Sequence, residues 1–430
     1  MLILTLLIRQ WYHAAMYLRG NKWTMRKRPK RRPSMWRIGL LVVLIGIALY
    51  INQVVVPATP PLFIPTATPT TSPESYINQA EDFYNSGKIT QAIEAYQNAI
   101  KTDPSDPATY VSLARLQVLD GNYADAIVNT QNALLKNPNN PLAHAVQGWA
   151  LGFQGKNGEA ELEIKKALAL DPNSALAHAY YAEILVNQGD YDLFDKAAEE
   201  SKLAINLDPN ILDTHRARGI VLLNTQNIPE AIDQFKAALA INKNIANLHL
   251  YLGLAYKANQ QLDLAEEELV AAVTYNPEDT IALTELSRAY FADGRYRQAA
   301  QYAEEAVKIN PSDPRLHGDL GTMYYKNEEY TNAIQELALA IEGGTTKDGV
   351  VVEGLPLDYD VRVMAYYWYY GFALQKNNQC SQAVPIFRAL LEGVPNDETA
   401  VYNANAGLEA CKEGITTPTA GTQAETTPTP

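Results

Sequence analysis

The chain has 430 residues, of which 19% are charged, and its net charge is −13. The first 72 residues hold 10 of the 35 Lys and Arg and no Asp or Glu, which leaves 25 basic against 48 acidic residues, a net charge of −23, for the rest. A region this acidic repels nucleic acid and anionic lipid headgroups. We therefore exclude nucleic acid as its partner.

The basic N-terminal region ends in an apolar run. Residues 36–56 are apolar apart from Arg37, Asn52 and Gln53, and these 21 residues suit a helix that spans a bilayer. The basic residues lie in and just before this run, which predicts a cytoplasmic segment 1–35, a single-pass span 36–56 in the cell membrane and an extracytoplasmic remainder. The alternative is a cleaved signal peptide, which the length of the run and the absence of an A-x-A-like site disfavour.

The translation start is a separate question. Residues 1–8 are apolar but too short to span a membrane, whereas the sequence from Met25 already forms a complete basic and then apolar anchor. A start at Met25 rather than Met1 is therefore a hypothesis that N-terminal sequencing tests.

Two segments rich in Pro and Thr flank the acidic region. Residues 57–75 predict an extended spacer between membrane and domain, and residues 413–430 predict a disordered tail. Neither segment has enough apolar residues to fold.

Between these segments, small residues recur at a fixed spacing. Eight alanines are separated by 34 residues six times and by 37 once, and each has a second alanine seven residues before it. Because i and i+7 share one helix face, this pattern predicts stacked helical units with the same close contact in each. The eight alanines are Ala99, Ala133, Ala167, Ala204, Ala238, Ala272, Ala306 and Ala340.

The same register carries further repeat positions. Glycines such as Gly121 mark a turn between two helices, a proline such as Pro138 follows most units, and Leu-Gly-x2-Tyr occurs at Leu252 and Leu320. Over residues 76–412 the chain resembles the tetratricopeptide repeat (TPR) family, whose 34-residue unit reads W-x2-L-G-x2-Y, A-x3-F, A and P. The resemblance implies an all-α solenoid, a right-handed superhelix of about nine helix pairs. The units begin near Pro73, Pro107, Pro141, Ala175, Leu212, Ala246, Thr280, Pro314 and Met364.

Departures from the repeat mark special segments. Three extra residues fall around 191–195, and the insert 342–360 separates units eight and nine. Within the insert, the glycine-bounded run 349–354 predicts a small hairpin, and residues 398–412 predict an amphipathic helix that caps unit nine.

The sequence offers no catalytic motif, so we expect no enzyme, no cofactor and no metal site. Five histidines fall in one slot of successive units, where packed helices keep them on the order of 10 Å apart, too far to share a zinc ion. They are His144, His178, His215, His249 and His317. Cys380 and Cys411 are a possible disulfide in an extracytoplasmic domain, and the alternative is two small packing residues.

The function is then expected to reside in surfaces. First helices line the concave face in the family, and the resemblance implies that a set of aromatic and charged residues points into it and binds a protein or peptide partner. Some of these residues are expected to pack between helices instead. The set is Tyr84, Arg115, Trp149, Phe153, Tyr180, Glu183, Arg216, Tyr251, Arg288, Phe291, Tyr325, Trp368 and Tyr369.

The leading hypothesis is a membrane-anchored TPR scaffold that docks an extended or helical segment along this groove. One alternative is an accessory factor or enzyme component in the assembly of cell-surface polysaccharide or glycans. A second alternative is a purely structural spacer.

Overall fold

The computed structural model describes residues 34–51, 53 and 71–416, with side chains to 412. The chain divides into two units, Met1–Thr70 and Thr71–Pro430. In the first unit, helix α1 (Met35–Tyr50) is exposed along its whole length. None of the helices among the described residues is both long and apolar enough to cross a membrane. Part of the predicted span, residues 52 and 54–56, lies outside the described residues, so the anchor stays a prediction.

The second unit is an array of helix pairs. Its described residues form nine pairs and one final helix, and helices of a pair pack on each other and on the next pair. The first six pairs are α2 (Pro73–Asn85) and α3 (Ile89–Thr102), α4 (Pro107–Leu119) and α5 (Tyr123–Lys136), α6 (Pro141–Phe153) and α7 (Asn157–Leu170), α8 (Ala175–Asn187) and α9 (Phe194–Leu207), α10 (Leu212–Asn224) and α11 (Ile228–Ile241), and α12 (Ala246–Ala258) and α13 (Leu262–Tyr275). The remaining helices are α14 (Thr280–Ala292) and α15 (Tyr296–Ile309), α16 (Pro314–Lys326) and α17 (Tyr330–Glu342), α18 (Val361–Lys376) and α19 (Cys380–Gly393), and the final α20 (Glu398–Thr416).

Local sequence sets where the first helices begin. Asp106 caps α4 by accepting hydrogen bonds from the backbone N–H groups of Ala108 and Thr109, and Pro107 occupies the first position of that helix. Units one to eight begin at the residues that the spacing predicts. Unit nine begins at Val361 rather than Met364, because Asp360 caps its first helix. The first helix of unit one also begins inside the segment predicted as a spacer, at Pro73.

The turn within each pair contains one residue in the left-handed region. Five units use glycine there, with φ between 70° and 81°, which costs glycine no steric strain. Units five, six, eight and nine place a side-chain-bearing residue at this position instead. These are Gln226, Gln260, Glu328 and Asn378, with φ between 57° and 65°.

The alanine ladder lies at the centre of the array. All eight alanines that define the spacing are 0 to 1% exposed. A small residue on the first helix lets the second helix approach closely: a Cβ on Gly219 would lie 2.5 Å from the Phe235 ring. The fixed spacing therefore reports a repeated contact between helices.

The irregular segments have defined structures. The three extra residues of unit four form a short 3-10 helix, Tyr191–Leu193. In the insert, β1 (Gly344–Thr345) pairs with antiparallel β2 (Val351–Val352). The hairpin prediction is thus corrected in position. Its strands flank a turn at 346–350 instead of lying within 349–354, because Gly343 and Gly344 adopt positive φ and redirect the chain before the first strand.

Candidate binding surfaces

The first six units form a closed turn, because unit one returns to contact the loop between units five and six. The side-chain amide of Asn242 donates to the carbonyl of Tyr84 at 3.3 Å, and that of Asn244 donates to the carbonyl of Asn85 at 2.8 Å. Gly87 lies directly under this loop, where a Cβ would come within 2.2 Å of the Asn244 carbonyl oxygen. We call this contact the closure.

A charged network fills the inner side of the closed turn. Arg115 of unit two reaches across to Tyr180 (Nε to Oη, 3.0 Å) and to Asp213 (Nη2 to Oδ2, 2.8 Å). Arg216 donates to Glu183, with Nε 3.0 Å from Oε1. First helices of units two, four and five are therefore tied together by side chains that the family register directs inward.

An aromatic stack lies against this network. The Trp149 ring stacks on Tyr180, with 4.3 Å between ring centroids, and its Nε1 donates to Glu183 at 2.7 Å. The Arg216 guanidinium lies 4.6 Å from the centre of the Trp149 ring. Phe153 meets the edge of Trp149 at 6.1 Å. The three rings contact one another, and Trp149 and Tyr180 do so inside the protein.

Burial and charge act against each other in this network. Burial raises the pKa of Asp213, but the Arg115 and Arg216 guanidiniums outweigh it and hold this pKa below its ordinary value. Burial raises the pKa of Glu183, and Arg216 opposes that rise. Buried charges of this kind are tolerated only as partners of one another.

The structure separates the predicted site residues into two groups. Trp149, Tyr180, Glu183 and Arg216 are at most 2% exposed. They pack within the closed turn and are not open to a partner in this conformation, which corrects their assignment to an open groove. The others are partly exposed, and partner binding by them stays a prediction: Tyr84, Arg115, Phe153, Tyr251, Arg288, Phe291, Tyr325, Trp368 and Tyr369.

Units eight and nine carry a partly exposed group of rings on α16 and α18. Tyr325 lies 5.2 Å from Tyr369 and 6.4 Å from Phe372 between ring centroids, and Trp368 meets Tyr369 edge-on at 6.1 Å. We call these four residues the C-terminal aromatic surface. Lys326 places its Nζ 5.5 Å from the centre of the Tyr369 ring.

An ionic chain also joins the first helices of units seven to nine, and its arginine is more exposed than Arg216 of the closed turn. Arg288 donates to Asp319 (Nη2 to Oδ2, 2.7 Å), and the Tyr366 hydroxyl donates to the other oxygen of Asp319 at 2.8 Å. The Arg288 side chain is 25% exposed, whereas that of Arg216 is 1% exposed.

A cleft of about 290 Å³ lies beside the closure, between units one and two on one side and six and seven on the other. Asp120, Glu278 and Asp279 line it together with Lys88. Burial raises the pKa of Asp120 to about 6, the Asn122 amide opposes this rise, and Glu278 and Asp279 add to it.

Metal-binding side chains do not converge anywhere in the part of the chain that the structure describes, since no three His, Cys, Asp or Glu residues could hold an ion together. Each of the five slot histidines instead contacts a side chain of its own unit and a backbone carbonyl of the loop before that unit. At the C-terminal end, Cys380 and Cys411 form a disulfide between α19 and α20, with their Cα atoms 5.5 Å apart.

The inward network and the closure are the features that sequence reasoning missed. Long-range contacts between units one and five leave no mark in a repeat spacing of 34 residues. One signal lay in the loop between units five and six, where Lys243 replaces the proline found in six other units.

Comparison with known proteins identifies the repeats. Family models described as tetratricopeptide repeat match residues 84–150, 163–193, 216–280, 250–314 and 284–347. No curated protein matches the chain.

Several solved structures resemble it at low identity. A Pseudomonas aeruginosa pilF structure has 18% identity and a TM-score of 0.45, over 55% of this chain and 98% of that chain. The APC/C hetero-tetramer Cut9–Hcn1 has 16% identity and a TM-score of 0.45, over 66% of this chain and 52% of that chain. A structure of a human IFIT1 dimer with PPP-AAAA has 17% identity and a TM-score of 0.47, over 75% of this chain and 83% of that chain. Because the family models together match more than half of the 430 residues, at spacings that the helix pairs reproduce, this chain belongs to the tetratricopeptide-repeat family.

Proposed function

We propose that this chain is a membrane-anchored scaffold whose array binds a protein or peptide partner outside the cytoplasm, through the C-terminal aromatic surface. Repeats of this family generally serve as non-enzymatic interaction scaffolds. The partial exposure of Tyr325, Trp368, Tyr369 and Phe372 is the observation that carries the choice of surface.

Two physical arguments support this surface over the rest of the inner side. The closed turn already fills its inner side with Trp149, Tyr180 and Arg216, so a partner would have to displace buried, hydrogen-bonded groups. The four C-terminal rings are partly exposed, and aromatic side chains contribute strongly at interfaces. An extended segment with apolar side chains fits such a surface.

Site-specific photo-crosslinking in the full chain tests the location. A photoreactive residue in place of Tyr325 or Tyr369 is expected to capture a polypeptide, whereas one in place of Tyr402, which is 73% exposed on α20, is not. Trp368→Ala is then added to the variant that carries the photoreactive residue in place of Tyr369. The affinity for the partner should fall by about 2 kcal/mol, roughly thirtyfold, and the captured fraction should fall with it. The circular dichroism melt should not change.

The outcomes separate the hypotheses. Equal capture at Tyr402 and Tyr369 would contradict the proposed surface, and capture of a glycan would favour the glycan-assembly alternative. If no crosslinked product forms and cells that carry Trp368→Ala behave as cells with the native chain do, the structural-spacer hypothesis is favoured.

The membrane anchor is the second part of the proposal. The basic residues before 36 and the apolar run 36–56 support an N-terminus in the cytoplasm and an array outside it. Protease added to cells with a permeabilised outer wall should digest the chain beyond about residue 75. Protection of the array until the membrane is lysed would show that this orientation is wrong.

A further inference from the structure

Five of the nine units place a histidine at the same slot of the first helix, and in all five its two ring nitrogens have fixed partners. One ring nitrogen faces a backbone carbonyl six residues earlier, at 2.8 to 3.0 Å. The other faces a side-chain oxygen of the second helix at 2.5 to 2.8 Å. The partners are Glu163 for His144, Glu200 for His178, Gln234 for His215, Glu268 for His249 and Glu336 for His317.

An acidic partner accompanies the histidine in four of the five units, and Gln234 takes its place in unit five. The partner always lies four residues before the second alanine of its unit, and units that lack the histidine lack the acid as well. Unit two has Tyr110 at the histidine slot and Asn129 at the acid slot, and unit seven has Leu283 and Tyr302. The pair therefore behaves as a single element of the repeat.

The geometry fixes the protonation state of four of these pairs. A backbone carbonyl only accepts, and an ionised carboxylate only accepts, so both ring nitrogens must carry a proton to satisfy both contacts. A neutral imidazole would leave one nitrogen lone pair facing an acceptor oxygen. His215 is different because Gln234 can turn its amide to donate, which lets a neutral ring satisfy both of its contacts.

We propose that the four His–Glu pairs form a pH-responsive ladder that ties the two helices of units three, four, six and eight together when protonated and releases them when the histidines lose their charge. Three of the four pairs lie in the closed turn. Their loss above neutral pH therefore loosens the part of the array whose inner side is packed.

The surroundings of the pairs favour the charged ring. The hydrogen bond to Glu200 raises the pKa of His178, and Asp171 adds to this effect. Burial lowers the pKa of His249, but the hydrogen bonds to Glu268 and to the Lys243 carbonyl outweigh it and raise this pKa overall. The same balance, with Asp313 helping, raises the pKa of His317.

Other groups also contact the ladder. Lys166 lies 2.8 Å from the second oxygen of Glu163 and competes for that carboxylate. The Tyr275 ring stacks on His249 at 5.4 Å between centroids. Tyr181 lies in the field of Glu200 and Tyr324 in that of Glu336, and both hydroxyls have a raised pKa, which keeps them neutral across the pH range of the ladder.

The sign of the pH dependence follows from these raised values. A histidine whose pKa is higher in the folded than in the unfolded chain stabilises the fold fully below about pH 6.5, its ordinary value. That stabilisation disappears as pH rises through the folded pKa. Each unit of pKa difference corresponds to about a tenfold change in the unfolding equilibrium per pair.

The first test measures the histidines directly in the full chain. Proton NMR titration of the ring Hε1 signals should show that His178, His249 and His317 keep their charge to a pH above about 6.5, the ordinary histidine value. The matched control for each is its own Glu→Gln variant, which keeps the carbonyl contact and replaces the carboxylate by a neutral partner. Loss of charge of these three rings at or below about pH 6.5 in the native chain would overturn the proposal.

The second test changes the acids. Replacing Glu163, Glu200, Glu268 and Glu336 by Gln gives every unit the pairing that unit five already has. The native chain should melt at progressively lower temperature from pH 7 to pH 9, and the quadruple variant should show a much flatter profile. This window lies above the titration of Asp120, which therefore does not contribute.

A gain-of-function variant completes the design. Gln234→Glu gives unit five the same pairing as the other four units and should steepen the pH dependence of melting. If the quadruple variant keeps the native slope, or if Gln234→Glu leaves the slope unchanged, the ladder does not control the array. The NMR titration of the native chain decides the matter even if the quadruple variant does not fold.

Discussion

Units one to six and units seven to nine have the same repeat but use their inner sides differently. In the closed turn, Arg216 binds Glu183 out of contact with solvent, and the partly exposed Arg115 binds the buried Asp213. In the last three units, the equivalent face carries the partly exposed Arg288 and the C-terminal aromatic surface. The comparison teaches that one repeat register supports a self-filled face and an open face, depending on whether the chain returns to contact itself.

The ends of the two regions are also held differently. Unit one is held by backbone carbonyls that accept from Asn242 and Asn244 across more than 150 residues of sequence. Unit nine is held by a covalent bond to its capping helix, through Cys380 and Cys411. A solenoid end has no further neighbour to cover it, so each end needs such a device.

The largest expected effect comes from breaking the buried network. Arg216→Ala leaves Glu183 without its buried cation and should destabilise the closed turn by about 3–5 kcal/mol. Arg288→Ala removes the more exposed counterpart and should cost about 1 kcal/mol or less. Amide hydrogen exchange of α8 and α10 against that of α14 and α16 measures both. Equal losses would mean that the two inner faces do not differ in this respect.

Removal of the disulfide is expected to act on the other region alone. The double substitution Cys380→Ser and Cys411→Ser opens a loop with a sequence separation of 31 residues and should cost the last unit roughly 2–4 kcal/mol. Exchange protection should fall in α19 and α20 and remain in α8. The native chain in reductant is the control and should behave in the same way. Unchanged protection in α20 would contradict a stabilising role for the bond.

A pair of glycine substitutions isolates the closure. Gly87 and Gly121 are turn glycines with φ of 76° and 81°, so Ala at either position carries the same backbone strain of about 1 kcal/mol. Only Gly87 is covered by the Asn244 loop, whereas nothing lies within 4 Å of a Cβ at Gly121. Gly87→Ala should therefore cost about 1–2 kcal/mol more and enlarge the radius of gyration by small-angle scattering. Identical melting and scattering for the two variants would show that the closure does not stabilise the turn.

The smallest expected effect concerns Asp120 in the cleft beside the closure. Its raised pKa of about 6 means that the fold is favoured while this carboxyl is protonated, and that this contribution disappears as pH rises through about 6. Asp120→Asn should therefore melt slightly higher than the native chain at pH 7 and should lose the slope between about pH 4 and pH 6. If this variant keeps the pH dependence of melting that the native chain has, the dependence comes from a group other than Asp120.

Much of the fold follows from the sequence because its causes are local. The alanine spacing sets the nine units together with the capping residues before seven of the nine first helices and the turn glycines of five units. Each of these acts within one unit or on the next. The candidate site was only partly predictable. The repeat register predicts which residues point inward, but it does not predict whether an inward residue contacts a ligand or another unit.

That second question was decided by tertiary structure. The sequence predicts Trp149 and Tyr180 to be groove residues, but the structure buries them. They are buried because the cumulative curvature of several units brings Arg115 to Asp213 and Tyr84 to Asn242. Curvature is the sum of small rotations between neighbouring units, and no single residue determines it. The sequence by itself therefore determined the repeat, its register and its termini, whereas only the complete stack decided which part of the inner face is filled and which part stays open.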